Sequence, residues 1–149
     1  MAEKKKLFSV SRYQVRESPG YLLGRAKLML TKSVDTALSD RGITGQQSAV
    51  LMLLSSGTCE TAADISREMY IDSASTTRMI DRLVKRGLLR RVPCENDRRV
   101  VKLVLSKEGD ALVQTLPATF VDVLNRHFAN FTPEETETLK GLLKKFVQE

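Results

Sequence analysis

From Ser73 to Gly87 the chain reads as a helix with two unlike faces, and directly after Gly87 the pattern changes to short β-prone runs. At about 100° per residue, Met79, Ile80, Leu83, Val84 and Gly87 share an arc of roughly 140°. Ser75, Arg78, Arg82, Lys85 and Arg86 share a separate arc about 100° wide. One face packs, and the other is cationic with small hydroxyl residues at its amino-terminal end. Leu88–Val92 and Val100–Leu105 flank the turn-rich Pro93–Asp97, which predicts a hairpin with a polar tip.

The charge is concentrated in the same place. Arg78 to Lys102 holds nine basic residues against Asp81, Glu95 and Asp97, whereas the remainder of the chain's 24 basic and 18 acidic residues leaves 15 of each. A localised cationic surface beside an apolar stripe points to a polyanion, most directly duplex DNA.

The rest of the chain supplies a frame for this segment. Its 149 residues suffice for one domain, and with no Trp the core must rest on Leu, Val, Ile and Met. The longest apolar run, Ala49–Leu54, is far short of a membrane span, so a cytoplasmic protein with no membrane partner is expected. Residues 1–10 read as a frayed basic tail. A first helix begins at Ser18-Pro19-Gly20 and is stopped by Gly42. A second begins at Thr44, with Gln47 placed to close a capping box, and ends at Gly57. Cys59–Glu60 reads as a very short strand. Thr61 caps a third helix with Ala62, Ile65 and Met69 inward, and Asp72 or Ser73 caps the fourth after a turn near Tyr70–Ile71. Ser106 caps a fifth helix, which Pro117 should bend rather than end. Thr132-Pro133-Glu134-Glu135 opens a final helix reaching Gln148.

Helix, turn, helix and hairpin in this order make a winged helix-turn-helix. The fold class expected is therefore mainly α, about six helices with a small β-hairpin wing. The fourth helix is the one to enter a major groove. Ser73, Ser75, Thr76 and Thr77 let the backbone approach closely and offer hydroxyls to bases or phosphates, and the free N–H groups of the helix start favour phosphate. Arg78 suits a bidentate contact to guanine, while Arg82, Lys85 and Arg86 lie where phosphates pass. On the wing, Asn96-Asp97-Arg98-Arg99 repeats the sign. Asp97 and Arg99 would share a face of an extended strand, so their side chains can pair and aim a guanidinium into a minor groove.

These residues resemble the MarR family of bacterial transcriptional regulators. The resemblance rests on the run Ser75-Thr76-Thr77-Arg78-Met79-Ile80-Asp81-Arg82-Leu83-Val84, on Lys85-Arg86-Gly87-Leu88-Leu89, on the wing and on Ser106-Lys107-Glu108-Gly109. It implies a single domain over residues 1–149, with a DNA-binding lobe at about 44–105 and dimerisation helices at 18–42 and 106–148. It also implies a homodimer on a pseudo-palindromic operator, usually as a repressor, with Arg99 in the minor groove oriented by Asp97. Apolar residues Leu139, Leu142, Leu143 and Phe146 of the last helix independently suit such a dimer. Many family members release DNA when a phenolic or aromatic carboxylate binds between lobe and dimer helices. Tyr13, Arg16, Tyr21 and Arg25 are the candidates for meeting it.

Other functions find less support. His127, the single histidine, sits between Leu124 and Phe128 in a periodic helix, and no nucleophile–base or phosphate-loop pattern accompanies it. No catalytic residue, metal or cofactor is expected. Cys59 and Cys94 lack zinc spacing; Cys94, among cations, is the one suited to redox sensing. A winged helix that binds only proteins would share the fold, but it has no need of a basic helix together with a basic wing.

Overall fold

The computed structural model describes residues 6–148; the first five residues of the expected basic tail lie outside that range. Two single 3₁₀ turns, Val10–Arg12 and Val15–Glu17, lead into α1 (Pro19–Ala37). Then come α2 (Gly45–Ser55), α3 (Ala62–Met69), α4 (Ser73–Lys85), β1 (Leu89–Pro93), β2 (Val101–Leu105), α5 (Lys107–His127) and α6 (Pro133–Val147). The architecture is the expected winged helix-turn-helix with additional helices at both ends.

The helix starts form where side chains satisfy the orphan N–H groups. Thr44 with Gln47, Thr61 with Asp64, and Thr132 with Glu135 each close a reciprocal capping box. Ser18, Asp72 and Ser106 cap α1, α4 and α5. The helix α1 is shorter than its pattern suggested. It stops at Ala37, and the buried Leu38 passes the chain into a 3₁₀ turn, Ser39–Arg41, before Gly42 reverses it at φ 64°. The end of α3 is set by Tyr70, which adopts a left-handed φ of 52°. Ser66 holds that turn: its carbonyl accepts from Ile71 N–H at 3.2 Å and its hydroxyl donates to Ile71 O at 2.6 Å.

Leu51, Ile65, Ile80, Leu83, Leu89 and Leu116 lie within the core, so α2, α3, α4, the hairpin and α5 share one interior. The hairpin is antiparallel, with Leu89 opposite Leu105 and Pro93 opposite Val101. Cys59–Glu60 is not a strand. It contributes one hydrogen bond, Leu103 N–H to Glu60 O at 2.8 Å, and a Lys102–Glu60 ion pair at 3.0 Å to the outer side of β2. Two residues of that length cannot propagate a ladder. The helix α5 continues unbroken through Pro117, which has no N–H to give to the preceding turn.

Where α4, the hairpin and α5 meet, the chain leaves no space. Ser106 N–H donates to Leu88 O at 3.1 Å, Ser106 Oγ donates to Gly87 O at 2.5 Å, and Gly109 N–H donates to Ser106 Oγ at 3.0 Å. A Cβ at Gly109 would lie 2.1 Å from Leu88 O, a backbone atom that cannot turn aside. The terminal elements are different in character. Neither α1 nor α6 has a fully buried residue, and Leu28, Leu142 and Phe146 are exposed at 72%, 60% and 71%. Gly109→Ala should therefore destabilise the lobe by about 1–3 kcal/mol, read as a lower urea midpoint with an unchanged m-value.

Candidate nucleic-acid interface

The four buried or half-buried positions Met79, Ile80, Leu83 and Val84 seat α4 in the core. The same rotation leaves Ser73, Thr77, Arg78, Arg82 and Lys85 exposed, with Ser75 half-buried. Thr76 does not join them. It is fully buried, and its hydroxyl donates to Asp72 O at 2.9 Å, so it belongs to the packing face and cannot touch a nucleic acid.

The start of α4 is already occupied by an anion. The Asp72 carboxylate accepts from Ser75 N–H at 2.8 Å, and Thr76 N–H donates to Asp72 O at 3.0 Å. The expectation of a free helix start for phosphate is thus corrected, since a second anion there would meet the first. One turn on, Arg78 donates to Ser75 Oγ at 2.9 Å, which draws its guanidinium towards the amino-terminal end of the exposed face.

The cations of this region fall into two groups. Arg91 is held to Asp81 of α4 at 2.5 Å, and Lys102 to Glu60, which raises the Lys102 ammonium above its ordinary pKa. Arg86 donates to the carbonyls of Gly42 and, at 3.1 Å, Arg41. These three brace the lobe, and the placement of Arg86 among residues free for phosphate is corrected accordingly. Arg82, Lys85, Arg90, Arg98 and Arg99 form no ion pair among the described residues. What remains unneutralised is one face of α4 and the wing.

The wing tip also departs from the expected geometry. Residues 97–99 are a turn, not extended strand, so Asp97 and Arg99 do not pair through their side chains. Asp97 Oδ1 instead accepts from Arg99 backbone N–H at 2.9 Å, and Val100 N–H donates to Asp97 O at 3.0 Å. The carboxylate fixes the loop backbone and leaves the guanidinium free. Arg98 and Arg99 are both exposed.

The expected ligand residues are not gathered. Tyr13 and Arg16 lie in the segment before α1, and Tyr21 and Arg25 lie on an exposed face of α1. The opposite face of α1 carries Leu23, Ala26, Leu30 and Val34, which line a cavity of about 440 Å³ together with Ala49, Met69, Phe120 and Leu143. Lys27, Thr31 and Gln46 are among its few polar lining residues. None of the four candidates lines it. The alternation of faces along α1 was the signal that could have found this cavity, because residues two apart on a helix point roughly 200° apart.

His127 is a structural residue: its Nε2 is 2.8 Å from Ser33 Oγ and joins α5 to α1. Cys59 is buried, and desolvation together with Asp64 and Glu68 pushes its thiol up, away from reactivity. Cys94 is half-buried beside the wing.

Two helix caps make the lobe sensitive to acid. Asp64 is held below the ordinary carboxylate range chiefly by Glu60 N–H, and Asp72 chiefly by Ser75 N–H. The unfolded chain therefore binds more protons as the pH falls. The caps' stabilisation is present above the ordinary Asp value of about 3.9 and is lost as the pH drops through the lower folded values. Asp64→Asn and Asp72→Asn, which keep a capping oxygen, should flatten the fall of stability between about pH 5 and pH 2. A fall as steep as wild type, followed by denaturant unfolding, would refute the assignment.

A MarR-family model matches residues 43–101, from the residue before Thr44 to the first residue of β2. The multiple antibiotic resistance protein MarR of Salmonella typhimurium is 32% identical over 130 residues, spanning 84% of this chain and 90% of its own length. The crystal structure of a cysteine-to-serine variant of Escherichia coli MarR with operator DNA is 30% identical, has a TM-score of 0.78 and covers 85% of this chain and 91% of that one. BpsR of Bordetella bronchiseptica, whose structure concerns regulation of DNA binding by 6-hydroxynicotinic acid, is 28% identical. Its TM-score is 0.81, and the match covers 92% of this chain and 98% of that one. The helix-turn-helix, the hairpin and the identity across nearly the whole of a MarR protein agree: this chain belongs to the MarR family of winged helix-turn-helix transcriptional regulators.

Proposed function

We propose that the chain is a homodimeric transcriptional regulator, not an enzyme, that binds a pseudo-palindromic operator and acts as a repressor. The observation that carries this reading is the sorting of the cations. Internal partners hold Arg86, Arg91 and Lys102, while on the exposed face of α4 and the wing tip Arg82, Lys85, Arg98 and Arg99 form no ion pair among the described residues and Arg78 is held only by Ser75 of its own face. A merely solvated surface has no reason to divide in this way between two elements of one lobe.

In this reading α4 enters the major groove. Ser73, Ser75 and Thr77 approach the bases or backbone, Arg78 takes a guanine edge, and Arg82 and Lys85 hold phosphates. Arg98 and Arg99 enter the minor groove, with Asp97 shaping the loop that carries them. Residues 44–105 are the DNA-binding lobe; residues 18–42 and 106–148 carry the dimer, supported by their exposed Leu28, Leu142 and Phe146. The relative crystallised with operator DNA, and the one whose DNA binding is regulated by a hydroxylated pyridine acid, support both halves of the proposal.

The effector site is the apolar cavity between α1, α2 and α5, and not the surface of Tyr13, Arg16, Tyr21 and Arg25. A volume of about 440 Å³ suits a single aromatic ring with a carboxylate, and Lys27 at the lining supplies the opposite charge. Such a ligand would act by favouring a lobe orientation that no longer matches two half-sites.

The test is binding of the purified protein to DNA from its own upstream region, over a salt series, against scrambled duplex. Specific binding should weaken steeply with salt, with a slope of about −0.9 for each phosphate contact. Arg78→Ala should lower the preference for specific over scrambled duplex by about 1–3 kcal/mol. Arg99→Ala should weaken both more evenly. Unchanged affinity in Arg99→Ala at moderate salt would remove the wing from the interface, and no binding even at low salt would leave a protein-interaction module.

A further inference from the structure

Arg86, which closes α4, is consumed internally, and its partners lie in another part of the fold. It is the C-cap of α4, and its own N–H donates to Arg82 O at 3.0 Å. Its guanidinium reaches across to the junction between α1 and α2. There Nη1 donates to Gly42 O and Nη2 donates to Arg41 O at 3.1 Å. Two adjacent carbonyls thus meet the two arms of one planar fork, which a lysine cannot reproduce.

The junction is shaped to receive it. Gly42 adopts φ 64°, which turns the chain, and a Cβ there would lie 3.3 Å from Nη1 and 3.5 Å from Nη2. The left-handed turn favours glycine, and the absence of a Cβ there also gives the guanidinium room. Leu38 and Ile43, on either side of the turn, are buried, so the carbonyls belong to an anchored segment. The relay continues, because Arg41 Nη1 donates to Thr115 Oγ1 of α5 at 3.1 Å. The recognition helix packs principally on α3 and β1, within the lobe. Arg86 ties its far end to the junction between α1 and α2 and, through Arg41, to α5.

We infer that Arg86 is a positioning residue that sets the angle of α4 relative to the terminal helices, and with it the half-site spacing the protein accepts. The inference rests on the DNA-binding reading above. In a two-fold dimer each recognition helix must meet its half-site at a fixed separation, so a tie between α4 and the helices at the dyad converts protein geometry into operator spacing. The competing role for Arg86 is a direct phosphate contact.

The two roles separate in full-length Arg86→Gln and Arg86→Lys. The probe is a duplex enriched from random sequence by the wild-type protein, remade with its half-sites moved by single base pairs in each direction, and bound over a salt series. Positioning predicts that both variants lose about tenfold on the enriched duplex and discriminate less between spacings. Their salt slope stays that of wild type. A second readout needs no DNA: amide exchange across residues 38–44 and the last turn of α4 should quicken in both variants. Restoration by lysine, with a slope reduced by about 0.9 in Arg86→Gln, would make Arg86 a phosphate contact and overturn the inference. Unchanged spacing preference or unchanged exchange would overturn it equally. Failure of the wild-type protein to enrich any duplex would instead bring down the DNA-binding reading itself.

Discussion

The lobe is organised around the approach of α5's first turn to the Leu88 carbonyl. At that point α4 has just ended, β1 is about to begin, β2 has just ended and α5 starts. Ser106 satisfies the carbonyls of Gly87 and Leu88, and Gly109 is there because nothing larger fits against Leu88 O. This contact closes the base of the hairpin and fixes where the wing leaves the body. It also joins α4 and the hairpin to the helix that leads out to α6. Interiors at native packing density transmit such constraints without slack, so a shift of α5 must move the wing as well as the helix.

Electrostatics adds selectivity to that frame. A raw count of charge between Arg78 and Lys102 treats all cations alike. The fold divides them: Arg91 and Asp81 link β1 to α4, and Lys102 and Glu60 link β2 to the α2–α3 connection. These exposed pairs each contribute little to stability, about 0–1 kcal/mol. Their effect is to settle directions, and the cations of this segment left without an ion-pair partner lie on the exposed side of α4 and on the hairpin. Asp72 sharpens this, since its carboxylate already complements the start of the helix.

The elements were legible where a local rule decides them. Capping at Thr44, Thr61, Ser106 and Thr132, the glycine stops at Gly57 and Gly87, and the two-faced pattern of α4 all appear in the structure as read, whereas Gly42 ends a 3₁₀ turn and not the first helix, which stops at Ala37. Thr76 was misplaced even though local arithmetic could have placed it. It falls inside the arc defined by Met79, Ile80 and Val84, and its hydroxyl concealed an inward position. Arg86 and the Asp97–Arg99 pair are a different case. The first depends on carbonyls 44 and 45 residues away in sequence, the second on a turn whose backbone geometry the residue types do not dictate. Of the cavity beside α1, only the wall on α1 was legible, in the alternation of that helix's faces; the rest is assembled from helices far apart in sequence.

The bareness of α6 has a consequence for how the molecule holds together. It is a fifteen-residue helix without a single buried residue in its own chain, and helices of that length are marginal in water even with good caps. Its Leu142, Phe146 and Val147 are exposed in the single chain, and the proposed dimer would cover them. In the proposed dimer the order of α6 is a matter of mass action: it depends on how much of the protein is present, while the lobe's own core does not. A cell that makes a few copies and a cell that makes many would hold the same lobe with different degrees of commitment to the assembled form.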